Sequence, residues 1–308
     1  MNRIDLHAHY VPEFYREALI AAGQGAPDGI KGLPEWSEAS AIAAMDRLGV
    51  SKSYLSISSP GVYFGDAGEA AVLSRQVNEE AVALRERSPE RFGFFASTPV
   101  PDIDAAQHEL VYALDTLNAD GLVLETNNAG VYLGDQRLEP LYAELNRRGS
   151  TLFIHPTTPF AGAHLALGYP HPMLEFFFET TRSVTNMILS GVIDRYPDMR
   201  VIVPHAGAAL PVLANRIELL LPILSKDADV DIPSVKATLR KLHYDLAGAP
   251  VPELLNALLE VADVKNIHYG SDYPFTPLEA CVALATKFDG TDVLDEATRR
   301  AIYSNDLV

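Results

Sequence analysis

Cysteine is almost absent: Cys281 is the only one in 308 residues, which excludes an internal disulfide and any cysteine-rich metal site. Positive charge is scarce too. There are 24 lysines and arginines against 41 acids, a formal net charge of −17, and the basic residues form no cluster. Such a chain repels phosphate backbones, so nucleic acid is set aside as a partner. No apolar run reads as long enough to span a bilayer. The first residues enter a strand pattern directly, without a basic stretch followed by an apolar one. The expectation is a cytoplasmic protein with no membrane partner. No Ser/Gly-rich tract or low-complexity block divides the chain, and 48% hydrophobic with 21% charged residues is the composition of an ordinary globular domain.

What is there is a regular alternation of short apolar runs and longer amphipathic stretches, the pattern of repeated βα units on a parallel sheet. Eight strands are predicted: "RIDLHAH" at 3–9, "SKSYLSI" at 51–57, "RFGFFAS" at 91–97, "DGLVLET" at 120–126, "TLFIH" at 151–155, "RVIVPH" at 200–205, "LHYDLA" at 242–247 and "NIHYGSD" at 266–272. Between them lie helical patterns such as "SEASAIAAMDRLG", "GEAAVLSRQVNEEAVALRERS" and "DQRLEPLYAELNRRG", with Ser37 as an N-cap and a following glycine as the stop. Cys281 falls in such a helix and reads as a small buried hydrophobe. The fold class is therefore α/β, a (β/α)8 TIM barrel forming a single domain over residues 1–308. Long Gly- and Pro-rich connections at 10–36 and 156–172 follow strands one and five, over the face where barrels carry their active sites.

The polar residues fall on that face. His7 and His9, His155, His205 and Asp272 sit at the C-terminal ends of strands one, five, six and eight. His7 and His9 are two apart on a strand, so their side chains share one side. A lone histidine at a strand end is more often a hydrogen-bonded structural residue than a ligand. Three imidazoles and one carboxylate converging on the mouth of a barrel make a ligand set for a divalent metal with a position open to water. Asp245, near the end of strand seven, is placed to fix an imidazole tautomer from behind. His243 and His268 precede the ends of their strands and read as structural. His108 lies mid-helix among polar residues and reads as exposed, while His164 and His171 lie at the cavity entrance rather than on the metal.

The blocks "DLHAHYVP" at 5–12, "FIHPTTP" at 153–159, "GVIDRYPDMRVIVPHAGAALP" at 191–211 and "HYGSDYPF" at 268–275 resemble the amidohydrolase superfamily. Within it they are similar to the decarboxylase branch typified by aminocarboxymuconate semialdehyde decarboxylase. The "SISSPGVYFGD" stretch and the residues before Trp36 resemble the 6-methylsalicylate decarboxylase group in particular. By this resemblance His7, His9, His155 and Asp272 are the metal ligands, and His205 is the catalytic histidine, with Asp272 in a catalytic role as well. The implied cofactor is one divalent ion, zinc by its imidazole donors with manganese as the other possibility, and no organic cofactor. Strand four ends in Glu125 where many relatives carry a bridging lysine, so one metal is expected and Glu125 reads as a supporting residue.

The same ligands would serve two reactions. One is the non-oxidative decarboxylation of a hydroxylated aromatic acid of the salicylate type, a carbon–carbon lyase reaction giving a phenol and CO2. The other is metal-assisted hydrolysis of a lactone or amide. The aromatic run "EFFF" at 175–178 favours the first, as a surface for stacking a ring. The resemblance also aligns Ala41 with an arginine that binds a second substrate carboxylate, which implies a monocarboxylate substrate. It places Arg216 as a substrate-binding residue that a homodimer would send into its neighbour's site.

Overall fold

The computed structural model describes residues 2–162, 165–224 and 234–307. Eight parallel strands follow one another around the sheet in chain order: β1 (Arg3–His9), β2 (Val50–Ser56), β3 (Phe92–Ala96), β4 (Gly121–Glu125), β5 (Thr151–His155), β6 (Arg200–Val203), β7 (His243–Asp245) and β8 (Ile267–His268). Isolated parallel bridges Asp5 to Tyr269 and Ala8 to Tyr273 join the last strand back to the first. The result is the expected (β/α)8 barrel.

The helices start and stop where local chemistry directs. Ser37 accepts from the Ser40 backbone N–H and Ser40 reaches back to that of Ser37, a reciprocal capping box ahead of the helix Glu38–Leu48. Gly49, at φ +66°, ends that helix in the left-handed region open to a residue without Cβ. The helix Ala67–Arg87 departs from the expected glycine stop and ends on Ser88. A further difference lies at 10–36, expected to be an irregular connection. It contains the helix Glu13–Ala21, because Tyr15 and Leu19, one turn apart, bury themselves at 2% and 1% exposure.

Inside the barrel, Leu6, Tyr54, Phe95, Val123, Phe153 and Ile202, one from each of the first six strands, form a buried layer separate from the larger core between strands and helices. Tyr54, Phe95 and Phe153 stack in sequence, with ring centroids 5.7 and 5.1 Å apart. This plug closes the bottom of the site, for His7 stands edge-on to Phe153 at 5.0 Å.

One expectation about apolar runs needs correction. The segment His205–Leu224 has a mean hydropathy of 1.5 over a length that would cross a membrane by length and composition. Arg216 and Glu218 interrupt it, which hides it from a reading that looks for an uncharged run. In the barrel it is the turn at His205 followed by the helix Leu210–Leu224, whose Leu210 and Ala214 are buried in the main core.

The plug makes a simple prediction. Phe95→Ala removes a fully buried ring and is expected to cost about 3–5 kcal/mol of stability, read from denaturant unfolding. The folded fraction should bind a metal as the unsubstituted protein does, because the Phe95 ring stacks on Tyr54 and Phe153 while His7 stands on Phe153; loss of metal binding at unchanged stability would contradict this division of labour.

Candidate metal centre and active site

The strand that carries His7 and His9 is not regular. Its pairing with β2 runs Asp5 to Ser53 and then Ala8 to Leu55, so Leu6 and His7 together face the single residue Tyr54 and form a β-bulge. Leu6 and His7 therefore both point into the barrel, where each meets the interior plug, while Ala8 packs in the outer core. A bulge leaves a backbone N–H outside the ladder. Asp5 satisfies it: its Oδ1 accepts from the His7 N–H at 3.1 Å and from the Ser271 N–H of the strand-eight segment at 3.0 Å. Burial pushes the Asp5 carboxyl up to about 7. Asp5 was not identified from sequence, where an acid in an apolar strand carries no mark of a bulge.

The end of strand eight is equally specialised. The predicted strand over 266–272 is regular only through His268, after which the chain wraps over β1: the Asp272 N–H donates to the His7 carbonyl at 2.7 Å. Asp272 sits at φ +60° and His205 at φ +56°, a region that costs a non-glycine residue of order 1–3 kcal/mol. Hydrogen bonds hold both in place. Thr276 donates through N–H and Oγ1 to the Asp272 carbonyl and Oδ2, each at 2.8 Å, and the His205 N–H donates to Asp245 Oδ1 at 3.1 Å.

The side chains of His7, His9, His155 and Asp272 meet, each offering one donor atom, with all four atoms within 4.8 Å of one another. Each imidazole is oriented from its far side. His7 Nδ1 is 2.9 Å from Asp245 Oδ2, His9 Nδ1 is 3.2 Å from the Ser56 carbonyl, and His155 Nδ1 is 3.3 Å from Glu125 Oε2. The Nε2 atoms of His7 and His9 are buried and have no hydrogen-bond partner; they lie 3.5 and 3.3 Å from Asp272 Oδ1. Donors bound at about 2.1 Å around one tetrahedral ion sit about 3.4 Å apart. Oriented, unpartnered nitrogens at that spacing fit a metal ion.

The Asp245 carboxylate outweighs burial at His7 and raises that imidazole to about 8, but burial prevails at the other histidines. It pushes His9 below the ordinary imidazole value and His155 well below it, and His205 down to about 4, so all three are neutral near pH 7 and free to donate lone pairs. Burial raises Glu125 well above the usual carboxylate range, with Asp28 adding to it.

His205 stands beside the cluster, its ring 5.0 Å from that of His7 and stacked on Phe177 at 5.7 Å, and its Nδ1 has no partner. A cavity of about 720 Å³ opens above, with His155, His205, Asp272 and Ser58 at its floor and Phe176, Phe177 and Phe275 in its walls. Two phenylalanines of the "EFFF" run face it, while Phe178 is 44% exposed elsewhere. The long loops meet over it, the turn Pro27–Gly29 packing on His171–Met173.

Other sequence expectations sort cleanly. Asp245 takes the supporting place foreseen for it, Glu125 backs His155, and His243 pairs with His268 at 2.9 Å away from the centre. Cys281 is buried, its thiol pushed up to about 12 by burial, and His108 is exposed. His164 lies outside the described residues. His171 sits in the loop roof but does not line the cavity. Ala41 is buried in the helix–sheet core rather than the cavity, so its identity says nothing about how many carboxylates a substrate carries. Arg216 is exposed on the helix Leu210–Leu224 and does not line the cavity of its own chain.

A parallel barrel with a His3Asp cluster at the C-terminal ends of its strands defines a metal-dependent enzyme of the barrel type. The chain belongs to the amidohydrolase family, whose model matches residues 4–305. It is 35% identical to a 6-methylsalicylic acid decarboxylase from Penicillium expansum, over 99% of this chain and 94% of that one. A solved structure described as an amidohydrolase II is 34% identical, with a TM-score of 0.91 over 98% of this chain and 96% of that one. A dihydroxybenzoic acid decarboxylase from Polaromonas, solved with manganese and the inhibitor 2-nitroresorcinol, is 21% identical with a TM-score of 0.84, covering 98% of this chain and 95% of that one; at that identity the likeness concerns the fold.

Outer partners of metal-bound imidazoles typically contribute 10–100-fold in affinity. Asp245→Asn is therefore expected to weaken metal binding by about that factor in a chelator competition, whereas His7→Ala abolishes it. Equal affinity in Asp245→Asn and the unsubstituted protein would show that Asp245 does not orient His7.

Proposed function

We propose that this chain is a metal-dependent, non-oxidative decarboxylase of a hydroxylated aromatic carboxylic acid, of the 6-methylsalicylate kind, yielding a phenol and CO2. The observation that carries the reading is the cluster of three oriented imidazoles and one carboxylate, which reaches the floor of a cavity walled by phenylalanines through His155 and Asp272. The 6-methylsalicylic acid decarboxylase of P. expansum, similar along its length, supports the substrate class.

His7, His9, His155 and Asp272 would hold one divalent ion, since strand four offers Glu125, already engaged with His155, instead of a bridging lysine. Three imidazoles favour zinc; the manganese in the Polaromonas relative supports the other assignment. A bound ion supplies Lewis acidity toward the hydroxyl and carboxylate oxygens of the acid.

The protein's own groups do the rest. Phe176, Phe177 and Phe275 flank the ring and exclude water. Asp272, once it has taken the hydroxyl proton of the bound acid, or a water held by neutral His205, delivers a proton to the ring carbon bearing the carboxylate. The bond from that carbon to the carboxylate then breaks, its electron pair restores the aromatic ring, and CO2 departs. Interactions aimed at charge that develops during the reaction count most in such a buried site, and His205, whose Nδ1 has no hydrogen-bond partner, lines the cavity where that charge would form.

Arg216 has no role within its own chain's cavity. We assign it to a homodimer formed through the helix Leu210–Leu224, whose Val212, Leu219 and Ile223 are 65–72% exposed and make an apolar stripe beside Arg216. The partner's site would receive the guanidinium. Ile223→Asp is expected to give monomers in sedimentation and to reduce turnover as far as Arg216→Ala does; a monomeric unsubstituted protein with full activity would contradict the assignment.

The reading is tested by offering a panel of ortho-hydroxybenzoic acids to protein of measured metal content and following CO2 and phenol. Stoichiometric release of both is expected, with His205→Asn slowed about 10²–10⁴-fold at unchanged metal content. No CO2 from any acid with metal bound would overturn it in favour of lactone or amide hydrolysis on the same ligands.

A further inference from the structure

The cavity that must admit an anionic acid belongs to a chain of net charge −17, whose field opposes the approach of any carboxylate. The cavity's own charged lining is sparse. Asp28 and Asp272 contribute acids, and the one cationic side chain among the described lining residues is Lys31, three residues beyond Asp28 in the loop after β1. Depth separates these groups: His155, Ser58 and His205 at the floor are 2–8% exposed, whereas Lys31, Gly32, Pro172 and Met173 are exposed and form the rim.

Lys31 is also uncommitted. The nearest basic side chain along the loop, Arg16, is engaged by Glu35 at 2.9 Å and by the Leu33 and Pro34 carbonyls, while Lys31 joins no ion pair among the described residues. An exposed lysine is ordinarily a solvated surface group. What distinguishes this one is its place on the rim of the cavity, where a lysine's long stem lets the ammonium follow a ligand through the mouth.

We infer that Lys31 is the electrostatic gate of this site, a rim cation that draws the carboxylate of the substrate into a cavity surrounded by negative charge. The inference rests on the decarboxylase reading for the identity of the anion. A steering charge acts on entry and on the encounter with anions, so its signature is in kcat/KM and its dependence on salt rather than in the chemical step.

The test measures kcat/KM for an ortho-hydroxybenzoate at ionic strengths from about 20 mM to about 0.5 M, over which the Debye length shrinks from about 20 Å to about 4 Å. Lys31→Gln and Lys31→Glu are compared with the unsubstituted protein at equal metal content. At low salt the expected losses are about threefold for Lys31→Gln and about tenfold for Lys31→Glu, both converging to within about twofold at high salt. Inhibition by the neutral phenol product should be alike in all three. Charge reversal that leaves kcat/KM within twofold at low salt overturns the inference, as does a loss that persists undiminished at high salt, which would make Lys31 a contact residue instead. If no acid is turned over, the decarboxylase reading fails separately. Calorimetric binding of the same acids to metal-loaded protein then tests Lys31 alone: the same ordering of affinities supports it, and equal affinities at low salt overturn it.

Discussion

Everything at the catalytic end of this barrel depends on how strand eight closes onto strand one. The His7 carbonyl accepts from the Asp272 N–H at 2.7 Å and from the Ser271 N–H at 3.2 Å, which ties two of the four candidate ligands through one backbone oxygen. Asp5 holds the other side of the same junction, its carboxylate shared between the His7 and Ser271 N–H groups. A closed barrel could be completed with a regular ladder. This one gives up ladder bonds for a bulge, and the bulge is what lets His7 point inward immediately after Leu6.

The costs of that arrangement are met locally. His205 and Asp272 occupy left-handed backbone conformations, and each is fixed by hydrogen bonds at its N–H or carbonyl. Asp245 is the busiest of the partners in these bonds. Fully buried, it receives His7 Nδ1, the His205 N–H and the Ala247 N–H, so one carboxylate sets the tautomer of a ligand and the position of the reacting histidine. Its interaction with His7 and these hydrogen bonds outweigh the effect of burial and hold its carboxyl below the usual range, as a permanent acceptor requires. Beneath them the stacked Tyr54, Phe95 and Phe153 give the cluster a dry, rigid floor.

Most of the barrel was legible in the sequence because parallel strands buried on both faces read as apolar runs, and the first six begin within a residue or so of where they were expected. The candidate ligands were legible because they stand at the ends of those runs. What escaped has a common cause, which is that it depends on contacts between distant segments. Nothing in "IDLHAHY" marks Asp5 as the clamp of a bulge, or shows that Leu6 and His7 share a side. The irregular ending of strand eight arises from its wrap over strand one. The helix at Glu13–Ala21 was obscured by flanking glycines and prolines, and the apolar length of the helix that bears Arg216 by its two charges. Lys31 and Asp28 lie in a loop whose place above the cavity is set only by its packing on the loop after strand five.

The membership of the amidohydrolase family and the likeness to a 6-methylsalicylic acid decarboxylase agree with what the geometry allows: pre-oriented imidazoles, one carboxylate, an aromatic pocket and a histidine with a free nitrogen. The central claim is that these residues form one metal centre. Anomalous scattering from crystals of the metal-reconstituted protein, collected at the edge of the added ion, tests it most directly. A single peak is expected, about 2.0–2.3 Å from Nε2 of His7 and His9, a ring nitrogen of His155 and a carboxylate oxygen of Asp272. Two peaks at the strand ends, or one peak lacking any of these four contacts, would contradict it.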